Sequence, residues 1–252
     1  MSDSETRTGG NFNFQTTHWS LVWTARSADS PGATEAWNKL CRAYWGSLFC
    51  YVRRRGHRFE EAQDLTQEFF TRLLAKDSLQ HLRHQEGKFR SFLLTLLKHF
   101  LSDERDKARA LKRGGGQAPI FLDALAEEER YRVEPADSST PEHLFDRRWA
   151  QAVLEQALRR LREEYTAAGK AAQFDALHHL HPGRDESAAS HAELGTRLGL
   201  SVSAVTSAIF RLRRRHSELL REEVALTVAS LEDVDEEIRY LIEIMARPGT
   251  AA

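Results

Sequence analysis

Apolar residues recur three and four positions apart through most of the chain, the repeat of one face of an α-helix. Phe14–Ala28 carries Trp19, Val22 and Trp23 at that spacing, and Asp29-Ser30-Pro31-Gly32 reads as the turn after it. Thr34–Arg55 has an apolar face of Trp37, Leu40, Cys41, Tyr44, Leu48, Tyr51 and Val52. It closes on Arg53-Arg54-Arg55 and Gly56, a basic last turn with a capping glycine. In Phe59–Leu74 the stripe is Leu65, Phe69 and Leu73, widened by Phe70 and Leu74, while Asp64, Gln67, Glu68 and Thr71 lie on other faces. Phe89–Arg113 holds Phe89, Phe92, Leu93, Leu96, Leu97, Phe100 and Leu101 in its first half and turns polar and basic in its second. After Gly114-Gly115-Gly116 the pattern lapses until Thr140-Pro141, an N-cap and first-turn pair. That pair starts a helix through Trp149, Val153, Leu154, Leu158 and Leu161. Ala171–Leu180 is a shorter helix, ended by His181-Pro182-Gly183.

Ser190–His216 is the most distinctive stretch. Ser190 and Glu193 fit a capping box, Leu194 and Leu198 share a face, and Gly199 stands where a helix ends in a left-handed residue. Ser201 caps a second helix with apolar positions Val202, Val205, Ile209 and Leu212. That helix is expected to end in Arg211, Arg213, Arg214 and Arg215, with no acid between Ser201 and Arg215. Two short helices around a glycine turn, the second basic, form the layout of a major-groove reader. A helical hairpin inside a larger bundle fits the same pattern, because arginines also favour helix C-termini.

The formal net charge of −1 leaves no overall field to attract nucleic acid, so any such surface must be local. From His81 to Arg113, nine Lys and Arg stand against four acids. Phe89, Phe92 and Phe100 among these cations suit either base stacking or an ordinary core. Between Asp123 and Asp146, eight acids face only Arg130 and Arg132, which marks an acidic linker. From Glu218 to Ala252, nine acids face Arg221, Arg239 and Arg247. There Val234, Ile238, Leu241, Ile242 and Met245 keep helical spacing. Such a tail suits folding back on a basic face, capping the second domain, or simply adding packed stability.

Catalytic and metal chemistry find little support. Cys41 and Cys50 form no CxxC pair, and His178, His179 and His181 have no cysteine or carboxylate at ligand spacing. No GK[ST] follows the glycine triplet, and no nucleophile is paired with a base. We therefore expect no metal, no cofactor and no enzymatic activity. The N-terminus is polar, and no apolar run approaches the ~20 residues that span a bilayer. The expectation is a cytoplasmic protein with no membrane partner.

DLTQEFFTRLL at Asp64–Leu74, FRSFLLTLLKHFLSDERDKARALKR at Phe89–Arg113 and the C-terminal helix-turn-helix together resemble bacterial sigma factors of the extracytoplasmic-function (ECF) type. The resemblance covers most of Trp37–Arg113 and Arg147–Glu223. The opening TTHWSLV and closing VDEEIRYLIEIM resemble a subgroup with a short C-terminal extension. The resemblance implies an all-α fold of two helical domains joined by an acidic linker, the second containing the helix-turn-helix. Its implied divisions are a tail and short helix at 1–28, sigma domain 2 at 29–116, linker at 117–139, sigma domain 4 at 140–223 and a helical extension at 224–252. The implied partners are core RNA polymerase, double-stranded promoter DNA and the melted non-template strand, with an anti-sigma factor or other regulator as a further partner of that kind.

Residue by residue, Asp64, Gln67 and Glu68 match the positions that dock on the polymerase clamp helices, with Thr71 beside them. Phe89–Arg113 matches the segment that reads and melts the minus-ten element. Its expected DNA contacts are Arg90, Phe92, Lys98, His99, Arg105, Lys107 and Arg109. Phe92, His99 and Asp106 stand where Trp, Asn and Arg are common in the family. The minus-thirty-five contacts would be Ser201, Ser203, Thr206, Ser207, Arg211, Arg213 and Arg214. Thr206 and Ala208 stand where the family often has Lys and Arg, which shifts the electrostatics toward the arginines. Three other readings compete: a one-component helix-turn-helix regulator, a sigma-like adaptor that no longer starts transcription, and an enzyme acting on DNA such as a recombinase, for which the chain lacks a nucleophile with partners. Asp64–Leu74 argues against the first, and the missing cations argue for the second.

Overall fold

The computed structural model describes residues 32–74, 88–111, 140–178 and 191–247. Among them the fold is all-helical, with no strand. In chain order the helices are α1 (Ala33–Arg54), α2 (Phe59–Leu74), α3 (Phe89–Leu111), α4 (Pro141–Ala167), α5 (Ala171–Leu177), α6 (His191–Leu198), α7 (Val202–Ala225) and α8 (Val234–Ala246). A 3-10 turn at Leu231–Asp233 leads into α8. Phe14–Ala28, the linker 117–139, His179, His181 and Ser190 lie outside the described residues.

The ends of these helices follow local chemistry. α1 stops where Gly56 takes φ +95°, a left-handed conformation that costs glycine little. The Arg53 guanidinium then donates to the His57 carbonyl at 2.8 Å. At the start of α4 the Thr140 hydroxyl accepts from the His143 N–H at 3.2 Å, and Pro141 occupies the first turn.

The main departure from the sequence pattern lies in α7. Rather than ending near Arg215, it continues to Ala225, so the expected division at 223/224 falls inside a helix. The arginines therefore sit mid-helix, and compensation of a C-terminal dipole does not account for them. Arg214 pairs with Glu218 at 3.1 Å, and Arg215 reaches Glu218 and Glu222 at 3.1 and 3.4 Å. Such pairs one and two turns apart support the helix through the cationic run. Val205, Ile209 and Leu212 are buried as the pattern predicts, but Val202 is 53% exposed. It stands in the first turn, ahead of the point where α7 meets its neighbours.

Two apolar clusters hold the helices. The smaller joins Ala157 and Leu161 of α4, Phe174 and Leu177 of α5, Leu194 of α6, and Val205, Ile209, Leu212 and Leu219 of α7. The larger crosses the position of the expected linker. It unites Tyr44 and Leu48 of α1, Phe69 and Phe70 of α2, and Phe89, Leu93 and Leu97 of α3 with Phe145, Trp149 and Val153 of α4. Val224, Val228, Val234, Leu241 and Ile244 complete it from the end of α7, the segment that follows it and α8. α1 against α4 is the most extensive helix pair. The core thus divides along α4, whose N-terminal half belongs to one cluster and C-terminal half to the other. No helix among the described residues is long and apolar enough to cross a membrane.

A candidate nucleic-acid and protein interface

Three surfaces carry the residues singled out from the sequence. On α2, Asp64, Glu68 and Thr71 are exposed and Gln67 is half-buried, while Phe69, Phe70 and Leu73 point into the core. Spacings of three and four place the four polar residues on one outward stripe. Thr71 donates to the Gln67 carbonyl at 3.0 Å. Arg72 joins Glu68 at 2.9 Å and Glu104 of α3 at 2.6 Å, and its guanidinium lies 4.8 Å from the Phe100 ring centroid. The stripe is thereby fixed against α3 and presents carboxylate and amide groups to solvent.

On α3 the residues assigned to the minus-ten element separate. Lys98, His99, Arg105 and Lys107 are exposed. Lys107 pairs with Glu104 at 3.2 Å. The side chain of Arg109 lies outside the described residues. Phe92 is half-buried and packs on Phe89, with centroids 5.9 Å apart, so it sits at the edge of the core.

Arg90 lies inside the core, 7% exposed. Its Nε and Nη2 donate to the two oxygens of Glu237 at 2.5 and 3.3 Å, and its Nη1 donates to Asp146 at 2.6 Å. The guanidinium also sits 4.2 Å from the Tyr240 ring centroid and 5.1 Å from that of Trp149. Burial opposes its charge, but Glu237 and Asp146 outweigh that and raise its pKa. Tyr240 donates to the second oxygen of Asp146 at 2.6 Å, and burial followed by that bond pushes its hydroxyl up to about 12.

Two neighbouring lysines meet acids as well. Lys88 contacts Glu236 at 2.7 Å and Glu237 at 3.1 Å, and Lys98 contacts Glu142 at 2.8 Å. Hydrogen bonds from Lys98 and Lys88 hold the Glu142 and Glu236 carboxyls below their usual range.

The third surface is the α6–α7 pair. Gly199 has φ +64°, and the Leu200 N–H donates to the Gly195 carbonyl at 2.9 Å, closing the turn. Gly195 has its own requirement, which the sequence pattern did not reveal. A Cβ there would stand 2.6 Å from the Leu200 carbonyl oxygen. Ser201 caps α7 by accepting from the Ala204 N–H at 3.2 Å. Ser203, Thr206, Ser207, Arg211, Arg213 and Arg214 are all exposed. Thr206 donates to the Val202 carbonyl at 3.1 Å and faces His191 Nδ1 at 3.4 Å. Ala208 is 2% exposed. In this packing its position faces the core, so Ala208 removes no cation from the outer face, whereas Thr206 does face outward. Phe210, unremarked in the sequence, is 65% exposed on this same helix.

A cleft of about 710 Å³ lies between α1, α2, α3 and the start of α4. Arg55, Lys98, Arg105, Glu61, Glu104 and Glu142 line it. These are charges of both signs without a nucleophile paired to a base. Among the described residues no group of His, Cys, Asp and Glu is placed to hold a metal ion.

The chain is similar to the ECF RNA polymerase sigma factor SigE of Mycolicibacterium smegmatis, with 27% identity over 198 residues. The match takes in 79% of this chain and 66% of that protein, so the chain spans just under two thirds of its relative's length. No family model matches the chain. No solved structure matches it at a comparable level.

Proposed function

We propose that the chain is a sigma-like transcription initiation factor of the ECF kind. It binds core RNA polymerase through Asp64, Gln67, Glu68 and Thr71 on α2, and promoter DNA through α3 and the outer face of α7. The similarity to an RNA polymerase sigma factor across 79% of the chain is the observation that carries this reading. The geometry supports it in two places. The α2 stripe offers acids and amides at the positions the resemblance assigns to polymerase docking. The α7 face offers hydroxyls and arginines that suit phosphates and base edges. On this reading the factor works by binding: tethering two modest DNA contacts to one polymerase raises the effective concentration of each.

The test is co-purification of the full chain with core polymerase, followed by run-off transcription on a genomic fragment library. Stable binding and promoter-specific starts are expected. Failure to bind polymerase overturns the proposal. Binding without any specific start favours the adaptor reading, for which Thr206, an uncharged outward residue on α7, is the supporting observation.

A further inference from the structure

The cations at the N-terminal end of α3 form an interaction surface whose present occupant is the chain's own C-terminal half. Three of the first four residues around that helix start are held by it. Lys88 lies on Glu236 and Glu237, and Arg90 on Glu237 and Asp146. Between them, the Phe89 N–H donates at 2.9 Å to the carbonyl of Thr227, in the segment joining α7 to α8. That N–H is one of the groups a helix start leaves without an internal partner. Just over two turns beyond Arg90, Lys98 lies on Glu142 of α4. Asp235, Glu236 and Glu237 in the first turn of α8 suit its positive end, but the dipole does not explain why Glu236 and Glu237 point at Lys88 and Arg90. Beneath the charges, Val234, Leu241 and Ile244 of α8 are buried in the core that contains Phe89 and Leu93.

The geometry points to α8 as an acidic lid that mimics the phosphates of a single strand and withholds Lys88 and Arg90, at the start of α3, from nucleic acid in the free chain. This rests on the proposed role of α3 in binding the melted strand. The carboxylates of Glu236 and Glu237 already hold Lys88 and Arg90, so a strand's phosphates compete with the lid for the same two cations. By linkage, whatever weakens the lid strengthens strand binding, and strand binding loosens the lid. The apolar contacts make closure the resting state.

The experiment measures the full chain's affinity for a fluorescent single-stranded oligonucleotide by anisotropy over a range of salt. Glu236→Lys turns the contact with Lys88 into a repulsion. Glu232→Lys makes the same change of charge on a nearby exposed residue of the 3-10 turn, and serves as the matched control. Ile244→Asp removes a buried apolar anchor of α8 and leaves every residue of α3 unchanged. Each cation freed for phosphate steepens the log–log salt dependence by ~0.7 for a single strand. Freeing Lys88 and Arg90 in Ile244→Asp then adds ~1.4 to the slope, an extra gain of roughly sevenfold on a fourfold drop in salt. Glu236→Lys, at an exposed residue, is expected to add ~0.7, or roughly a two- to threefold extra gain.

Tighter binding and a steeper slope in Glu236→Lys than in Glu232→Lys support the lid. Equal behaviour of the two overturns it. Absence of binding in all variants by protein that still co-purifies with polymerase overturns the role of α3 in strand binding, and the lid with it. Absence of both binding and co-purification overturns the sigma reading itself.

Discussion

Replacing Arg90 by Met tests the part of the structure where the two halves of the chain meet. Arg90 is the centre of a buried ionic group, with Glu237 fully buried on one side and Asp146 on the other. Removing one partner of a buried pair typically costs about 3–5 kcal/mol, because the remaining charge is stranded. Here the loss is moderated. Glu237 keeps Lys88 at 3.1 Å, and Asp146 keeps the Tyr240 hydroxyl at 2.6 Å. Methionine also retains contact with the Trp149 and Tyr240 rings through its thioether. The expected loss is therefore at the low end, about 3 kcal/mol at neutral pH.

The pH dependence has a definite sign. The Glu237 and Asp146 carboxylates favour the charged Arg90, so what the guanidinium adds to stability depends on ionised partners. The destabilisation is then full at neutral pH and shrinks as pH falls toward the ordinary carboxylate value. Urea unfolding followed by helical circular dichroism, at about pH 7 and about pH 5, reads both effects. Adding Glu237→Met to the variant should return most of the loss, since apolar replacement of a whole buried pair is close to neutral. A variant within about 0.5 kcal/mol of the parent at neutral pH, or a gap that widens in acid, would refute the reasoning.

Gly195→Ala should lower stability by about 1–3 kcal/mol, because its Cβ meets the Leu200 carbonyl oxygen at 2.6 Å and that oxygen belongs to backbone. Thermal unfolding measures it, and an unchanged or raised Tm would contradict the turn geometry. Tyr240→Phe removes a hydrogen bond to a charged acceptor and should cost about 1.5–3 kcal/mol in urea unfolding. Glu142 and Glu236 have folded pKa values held below the usual 4.5 by Lys98 and Lys88. What they add to stability is present above that value and lost as pH falls through the folded one. The difference between the parent and a Glu142→Gln, Glu236→Gln variant should accordingly vanish in acid, and a difference that persists there would contradict it. Asp64→Ala with Glu68→Ala should weaken co-purification with core polymerase while leaving the circular dichroism spectrum unchanged; undiminished binding would remove α2 as the docking face.

Much of the local structure was legible in the sequence because it depends on neighbours three or four residues away. The apolar stripe of Phe59–Leu74 predicts α2 with its observed limits, and it leaves Asp64, Gln67, Glu68 and Thr71 outside the core. Thr140-Pro141, Gly56 and Gly199 mark helix ends through their own conformational chemistry. The length of α7 was harder to see, because glycine and proline are absent between Ser201 and Ala225 and the arginines resemble a C-terminal turn. Only Glu218 and Glu222 beyond them show why the helix continues.

What the tertiary structure alone decided is which partner each charge meets. In the sequence, Arg90 and Lys98 are two cations in a basic segment, and Glu142, Asp146, Glu236 and Glu237 belong to acidic stretches far along the chain. Periodicity assigns a residue to a face, but it is silent on what packs against that face. The larger core, running from α1 through α4 to α8, brings Arg90 to within hydrogen-bonding distance of acids 56 and 147 residues away. The same packing turns Ala208 inward and leaves Val202 and Phe210 outside. Local sequence determined the helices, their ends and their polar stripes, because those energies act within a turn or two. The closed contact between α3 and α8 arises from burial of apolar side chains distant in sequence, and that burial is settled only when the whole chain packs.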